Sequence, residues 1–412
     1  MIEQYYSQAA YSQRLRYGPL EPHLDSFAGW LAEQGYSRQV GKQKIRLVAD
    51  LSRWLDRKVI PVEELNERWI DSFFRTRWRR MRRSRSDRST LTCLLEHLRK
   101  RAVIRAAITA KADDPINRLE KEYARFLIEE RGLSQATLDN YLPVARRFLC
   151  HRFGEKKIRL AGLRLPDVTE FILSETSSFS RRRVQLMTSA LRSFLGFIHQ
   201  HGYLASRLAA SVPTVASWPL SDLPQFLQPE QVERLLRSCD QTHLYGKRDY
   251  AILLLLARLG LRAGEVVHLS LDDIHWEAGH LLIRGKSSRE DRLPLPHDVG
   301  AALAKYLQEG RPGCSSRRVF IRTKAPHQGF FGSSAICCIV RRALERAGIN
   351  PERKGAHLLR HSLATGMLRT GASLMEIGQI LRHQQVQTTE IYAKVDVRAL
   401  RALAQPWPGG AQ

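Results

Sequence analysis

Apolar residues in this chain recur mostly at the three-and-four spacing of helices that bury one face. In RGLSQATLDNYLPVARRFL, Leu138, Tyr141, Leu142, Ala145, Phe148 and Leu149 fall on one side, behind Ser134 at the N-cap position. Pro143 lies inside this helix and predicts a kink, since proline lacks the amide that the preceding turn uses. A closing helix from Arg182 to His201 directs Leu186, Leu191, Phe194, Leu195 and Ile198 inward. Its start leaves Arg181, Arg182, Arg183 and Arg192 to solvent or phosphate. These segments predict a helical domain over residues 115–205.

The pattern recurs earlier in the chain. LDSFAGWLAEQGYS resembles LEKEYARFLIEERGLS, the second copy being two residues longer before the glycine. Beyond it, Ile45, Val48 and Leu51 fall on Leu142, Ala145 and Phe148 at a constant offset of 97, and TLTCLLEHLRKRAVI resembles the closing helix. Residues 1–110 are therefore expected to be an additional helical domain that repeats the second, the alternative being a chance likeness of amphipathic helices. Residues 206–221, rich in proline with little periodicity, read as a linker. From residue 222 to 412 the pattern becomes mixed α and β. QPEQVERLLRSC opens a helix, KRDYAILLLLARLG is a buried helix ending at Gly260, and HLLIRGKSSREDRLPLP alternates as two strands around a polar turn.

Charge narrows the partner. Lys and Arg number 66 against 41 Asp and Glu, a formal net charge of +25, which favours a polyanion such as nucleic acid or an acidic membrane surface. No apolar run reaches the length of a membrane span, and MIEQYYSQAAYSQ is polar and aromatic, unlike a secretory leader. The six cysteines show no CxxC pair, so a reduced, cytoplasmic protein without metal or other cofactor is expected. Within RTRWRRMRRSRSDR, Arg79, Arg80, Arg82 and Arg83 are candidates to track a DNA backbone, or else belong to a solvated loop.

The last third carries a set of side chains suited to opening a phosphodiester without a metal: Arg262, Lys286, His357, Arg360, His383 and Tyr392. Guanidinium forks and imidazoles stabilise charge on phosphoryl oxygens, a tyrosine hydroxyl attacks phosphorus, and a nearby cation protonates the leaving oxygen. Arg262 follows a helix end, with Glu265 three residues on to hold it. Lys286 sits in the polar turn, and its ammonium can give up a proton in a desolvated site. His357 and Arg360 share a helical face, with His361 expected to point elsewhere as a packing residue. Gly371 closes that helix, and Ser373 with Glu376 forms a capping box for the next, whose buried stripe is Leu374, Ile377, Ile380 and Leu381. The stripe leads to His383, and Tyr392 follows nine residues later. Taken singly, these are an ion pair, a turn lysine, structural histidines and a core tyrosine. A zinc site on His357, His361 and His383 lacks the HExxH glutamate. There is also no phosphate-binding GxxxxGK[ST] loop.

In order and local context these residues resemble the tyrosine recombinase (phage integrase) family over roughly residues 115–395. The motifs are GLRAGE around Arg262, LLIRGKSSREDRLPLP around Lys286, HLLRH from His357, and LRHQQVQTTEIY ending at Tyr392. Two departures stand out: Ser288-Arg289-Glu290 replaces the usual glycine and second lysine, and Arg382 replaces the glycine before His383. A left-handed backbone at Arg382 would be strained, and the side chain would add a DNA contact.

The resemblance implies a mainly α fold with a small β-sheet. Residues 115–205 become a SAM-like core-binding domain and 222–412 a mixed α/β catalytic domain. It also implies a 3′-phosphotyrosyl intermediate with a free 5′-OH, rejoined without ATP. The implied partner is double-stranded DNA with inverted half-sites. A homotetramer, with or without sister recombinases, would exchange strands on it. An apolar helix at Val395, Leu400 and Leu403 would dock on a neighbouring protomer, and WPGGAQ is expected to be disordered. The duplicated N-terminal domain favours a mobile-element integrase working on the nucleoid. Chromosome or plasmid dimer resolution, a type IB topoisomerase and an idle DNA-binding regulator stay open.

Overall fold

Helix caps and apolar stripes set the element boundaries in a computed structural model of the chain. It describes residues 1–6, 13–78, 85–105, 114–154, 157–176, 179–216, 223–285, 290–385, 387–395 and 400. These fall into two compact units, Met1–Ile104 with Leu220–Gln412, and Arg105–Pro219.

The chain begins with helices α1 (Glu21–Glu33), α2 (Arg38–Arg57), α3 (Glu67–Arg77) and α4 (Arg85–Lys100). Ser37 caps α2 by accepting from the Val40 amide at 3.4 Å, and Asn66 caps α3 by accepting from the Arg68 and Trp69 amides. Ile2, Tyr5 and Tyr6 are buried against this bundle, so the aromatic N-terminus serves as core.

The second unit has helices α5 (Pro115–Arg125, continued by a π turn at Phe126–Glu130), α6 (Gln135–Phe153), α7 (Leu165–Thr176) and α8 (Arg181–Gln200). Helix α6 runs on through Pro143. Both four-helix sets follow one plan. Helix starts pair as 38 with 135, 67 with 165 and 85 with 181, and a 3-10 turn precedes α3 and α7 alike. Core positions correspond as well: Val48 with Ala145, Leu51 with Phe148, Leu65 with Leu163, Phe73 with Phe171, and Leu95 with Leu191, all buried.

Three expectations for the second unit change. Leu186 is 40% exposed, because the buried stripe of α8 runs through Met187, Ala190, Leu191 and Phe194, one step round the helix. Arg192 is half-buried and donates from Nη2 to the Val212 carbonyl at 3.0 Å and the Pro213 carbonyl at 3.4 Å, so it ties down the following segment instead of facing solvent. Leu208 and Val212, within the expected linker, are buried in the same cluster as α8.

In the first unit the C-terminal part resumes with α9 (Pro229–Arg237), α10 (Leu244–Arg258) and α11 (Ala263–His268). Gln231 Oε1 accepts from the Gln228 amide at 2.9 Å, and Pro229 opens α9 where its missing amide costs nothing. Helix α10 is the core helix, buried at every residue from Ala251 to Leu256. A three-stranded antiparallel sheet in the order β1 (Ile274–His275), β2 (His280–Arg284), β3 (Glu290–Pro294) follows. Its hairpin pairs Leu281 with Leu293 and Arg284 with Glu290, burying Leu281, Ile283 and Leu293 at period two. Strand β1 was not evident in the sequence. Helices α12 (His297–Glu309), α13 (Ser333–Arg346), α14 (Ala356–Arg369), α15 (Leu374–Ile380) and α16 (Gln387–Glu390) complete the part, with a 3-10 turn at Ile391–Val395. Ile380 is 40% exposed, leaving Ile377 and Leu381 as the buried residues of that stripe. No described helix is long and apolar enough to cross a membrane.

Candidate active site

The site forms where the end of α10, helix α14 and the α15–Tyr392 segment meet. Gly260 ends α10 at φ +58°, a conformation suited to glycine. A Cβ here would approach Leu381 Cδ2 to 2.7 Å and Leu363 Cδ2 to 3.0 Å. The Gly260 and Leu381 carbonyls both accept from the Arg360 guanidinium, whose side chain is almost wholly buried. Burial, then the nearby charges of Arg262 and Arg382, pull Arg360 down to about 10, so it stays cationic at neutral pH.

Arg262 stands at the N-cap of α11. Its amide donates to Glu265 Oε2 at 2.8 Å, its Nη1 to Glu265 Oε1 at 2.8 Å, and its Nη2 to the Arg382 carbonyl at 3.3 Å. Its side chain remains 41% exposed, so it presents a positive charge outward from a fixed base. Glu265 is buried and paired a second time, with Arg382 Nη2 at 2.8 Å. Burial pushes the Glu265 carboxyl up, but the Arg382 charge and the bonds from Arg262 outweigh it and hold the group below the ordinary glutamate range.

Arg382 therefore turns inward, against the expected DNA contact. It occupies φ +55° in the loop that closes α15, where its amide donates to the Gln379 carbonyl at 3.0 Å and the His383 amide to the Gly378 carbonyl at 2.9 Å. That is a Schellman closure, with arginine at the position glycine favours. His383 Nδ1 shares a hydrogen bond with Thr389 Oγ1 at 2.7 Å, and burial followed by the charges of Arg360 and Arg262 lowers it to about 4. The imidazole is thus neutral at pH 7.

Tyr392 is 1% exposed, in a small apolar cluster with Ala364, Ile377 and Leu381. Burial, partly offset by Arg360, raises its phenol to about 12. Its ring stacks parallel to His383, with centroids 6.5 Å apart. Its hydroxyl shares a 2.9 Å hydrogen bond with His361 Nδ1. The expectation that His361 points elsewhere is thus corrected: the Tyr392 segment wraps onto the α14 face carrying His361, a tertiary fact that local spacing does not contain. Burial, then His357 and Arg360, lowers His361 to about 4. His357 is exposed on the same helix, its ring 6.3 Å from His361.

Arg262, Arg360, His383 and Tyr392 are thus brought together, with His357 one turn from His361. Lys286, Arg79, Arg80, Arg82 and Arg83 lie outside the described residues. In the second unit Arg181, Arg182 and Arg183 are exposed at the start of α8, with the Arg183 guanidinium 4.5 Å from the Phe179 ring centre. The partners that sequence reading missed are His361, Thr389 and the inward Arg382. His361 and Arg382 each adjoin a recognised motif residue, and Thr389 lies three residues before Tyr392. Chemically, a buried guanidinium, a fixed half-exposed one and a phenol held on a neutral imidazole form a place for an anionic oxygen cluster next to a nucleophile.

Comparison with known proteins bears on this arrangement. Residues 225–398 match the phage integrase family, and residues 121–202 match the phage integrase N-terminal SAM-like domain. A putative integrase/recombinase, y4rA of Sinorhizobium fredii, is 46% identical over 396 residues, covering 96% of each chain. The tyrosine recombinase XerD of Listeria monocytogenes is 31% identical over 285 residues, 68% of this chain and 95% of its own. Among solved structures, the site-specific recombinase XerH bound to a palindromic difH substrate aligns over 83% of this chain and 98% of its own, with a TM-score of 0.55 at 21% identity, a likeness of fold. The mainly α architecture with its small sheet is thus that of the relatives. The chain belongs to the phage integrase family of tyrosine recombinases and is a site-specific DNA recombinase.

Proposed function

We propose that this recombinase cuts and rejoins DNA through a 3′-phosphotyrosyl intermediate, with Tyr392 as nucleophile. The carrying observation is the placement of the Tyr392 hydroxyl on α14 one residue from Arg360, whose guanidinium bridges the Gly260 and Leu381 carbonyls. Arg360 and Arg262 take the non-bridging oxygens of the scissile phosphate, and His357 and His383 complete its cradle. As the Tyr392 Oη–P bond forms, the P–O5′ bond breaks and the departing O5′ receives a proton. Lys286, in the β2–β3 turn, is assigned that donation from its sequence context. Bond energy is retained in the phosphotyrosine, so the reverse attack by a 5′-OH needs no nucleotide.

The substrate is duplex DNA carrying inverted half-sites, and a tetramer on two duplexes exchanges strands in pairs. Residues 115–205, with Arg181, Arg182 and Arg183 exposed on α8, form a core-binding domain, and residues 1–110 form a second domain of the same plan. Leu208 and Val212 pack into the core of that core-binding domain, and a catalytic domain over 222–412 follows. A mobile-element integrase working on the nucleoid in the cytoplasm is the preferred role. Supporting it, the relative named integrase/recombinase matches 96% of this chain, whereas the one named XerD matches 68%.

The test is a nicked suicide duplex that traps the covalent adduct. Wild type gives a protein–DNA species resistant to denaturation. Tyr392→Phe gives none and binds the duplex within a few-fold. An adduct formed by Tyr392→Phe sinks the assignment.

A further inference from the structure

We propose that His361 is the proton acceptor for Tyr392: it takes the phenolic proton as phosphorus is attacked and returns it when the strand is rejoined. This rests on Tyr392 being the nucleophile.

The geometry carries the inference. His361 Nδ1 lies 2.9 Å from Tyr392 Oη, within reach for direct transfer. The phenol is 1% exposed, so bulk water is a poor base for it. The other imidazole near the ring, His383, lies parallel to it with centroids 6.5 Å apart and shares its Nδ1 with Thr389. Position in the helix adds a functional link, because His361 directly follows Arg360, so one element sets the base and a phosphate-binding cation together.

The groups facing His361 decide whether it can accept. On its own helix are His357 and Arg360, in the preceding loop Arg353, in the C-terminal turn Tyr392, and at the end of α15 His383. Burial, then His357, Arg360 and Arg353, lowers the ring to about 4, so it is neutral at pH 7, and with the Tyr392 hydroxyl donating to it Nδ1 offers the lone pair that takes the proton. A phosphodiester settling on Arg262 and Arg360 brings an anion that offsets this repulsion and raises the proton affinity of His361 as it is needed. In cleavage the Oη–H proton passes to Nδ1, the Oη–P bond forms, the P–O5′ bond breaks, and O5′ is protonated from the far side. Rejoining retraces each step.

The sequence reading missed this role because His361 is the nearest neighbour of a motif residue, and adjacent helical positions point about 100° apart. Only the path of the C-terminal segment brings the phenol to that side.

The experiment is single-turnover cleavage by full-length His361→Gln, whose amide can hold the phenol but not take its proton. Two nicked duplexes are compared, one normal and one with sulfur in place of the bridging 5′ oxygen, whose thiolate leaves without a proton. We expect normal DNA affinity and cleavage slowed about 10²-fold or more on both duplexes, the scale of a lost general base. Wild-type cleavage by H361Q overturns the proposal. So does recovery on the sulfur duplex, which would move His361 to the leaving-group side. Should H361Q lose its fold, the wild-type single-turnover rate from about pH 4 to pH 7 still decides, since protonation of His361 at or above about pH 4 imposes an acid limb there and a profile flat down to about pH 4 overturns the proposal. Tyr392→Phe separates the two readings: cleavage by that variant removes the nucleophile itself, whereas full cleavage by H361Q alone removes only the base.

Discussion

Arg382 holds a left-handed backbone that costs a non-glycine residue about 1 kcal/mol or more, and it is almost wholly buried. What keeps an arginine there is Glu265, whose carboxylate it shares with Arg262. Removing Arg382 leaves the buried Glu265 carboxylate with Arg262 alone, and breaking a buried pair costs about 3 kcal/mol. Arg382→Ala is therefore expected to lower unfolding free energy by about that amount. Arg382→Gly should lose about 1 kcal/mol less, because strain is relieved at the same time. Urea denaturation checks both, and equal stability of wild type and the alanine variant refutes the account. Because Glu265 also anchors Arg262, both variants should slow cleavage. At this scale the sequence was informative about residue identity and order: Arg262, Arg360, His383 and Tyr392 come together from segments 130 residues apart. Orientation was less legible. Whether Arg382 turns outward to DNA or inward to Glu265, and which flank of α14 receives Tyr392, depends on packing between distant segments.

Helices were the most legible elements, because their caps and stripes are written locally. Ser373 and Glu376 form the capping box read from sequence, with the Ser373 amide donating to Glu376 Oε2 at 2.8 Å. The errors were of phase and length. Leu186 yielded its inward place to Met187, one residue round α8, and Ile380 fell beyond the buried stripe of α15. Strand β1 spans two residues, too few for period two to register. The buried N-terminal aromatics look polar in sequence, since Tyr5 and Tyr6 find their apolar surroundings only in the folded bundle. The junction of elements most important to the site is Gly260, where α10 stops and its carbonyl meets Arg360. Gly260→Ala would force a Cβ to 2.7 Å from Leu381 and hold an L residue at φ +58°. Destabilisation of about 1–3 kcal/mol is expected, with slower cleavage at undiminished DNA affinity. Thermal unfolding and single-turnover rates measure these, and wild-type values for both would show that the junction tolerates displacement.

Across the molecule, two helical sets with the same order of elements and matching buried positions precede the catalytic part. Each has its own core: Met1–Ile104 contributes one apolar cluster, and residues 116–212 another. The XerD relative aligns over 95% of its own length yet covers 68% of this chain, so the family fold does not require this chain's full length. Residues 1–110 carry 22 Lys and Arg against 12 Asp and Glu, a net charge of +10, which suits a second grip on the phosphate backbone. Each phosphate neutralised by a cation steepens the dependence of log affinity on log salt by about one unit. Deleting residues 1–108 should therefore flatten that slope by several units, while leaving adduct formation on a strong nicked site close to wild type at low salt. Filter binding across a salt series, paired with adduct trapping, tests both halves. A slope unchanged by the deletion would mean that the first domain contacts protein, or nothing, where DNA contact is expected. Loss of the adduct at saturating DNA would mean that it supports the catalytic fold instead.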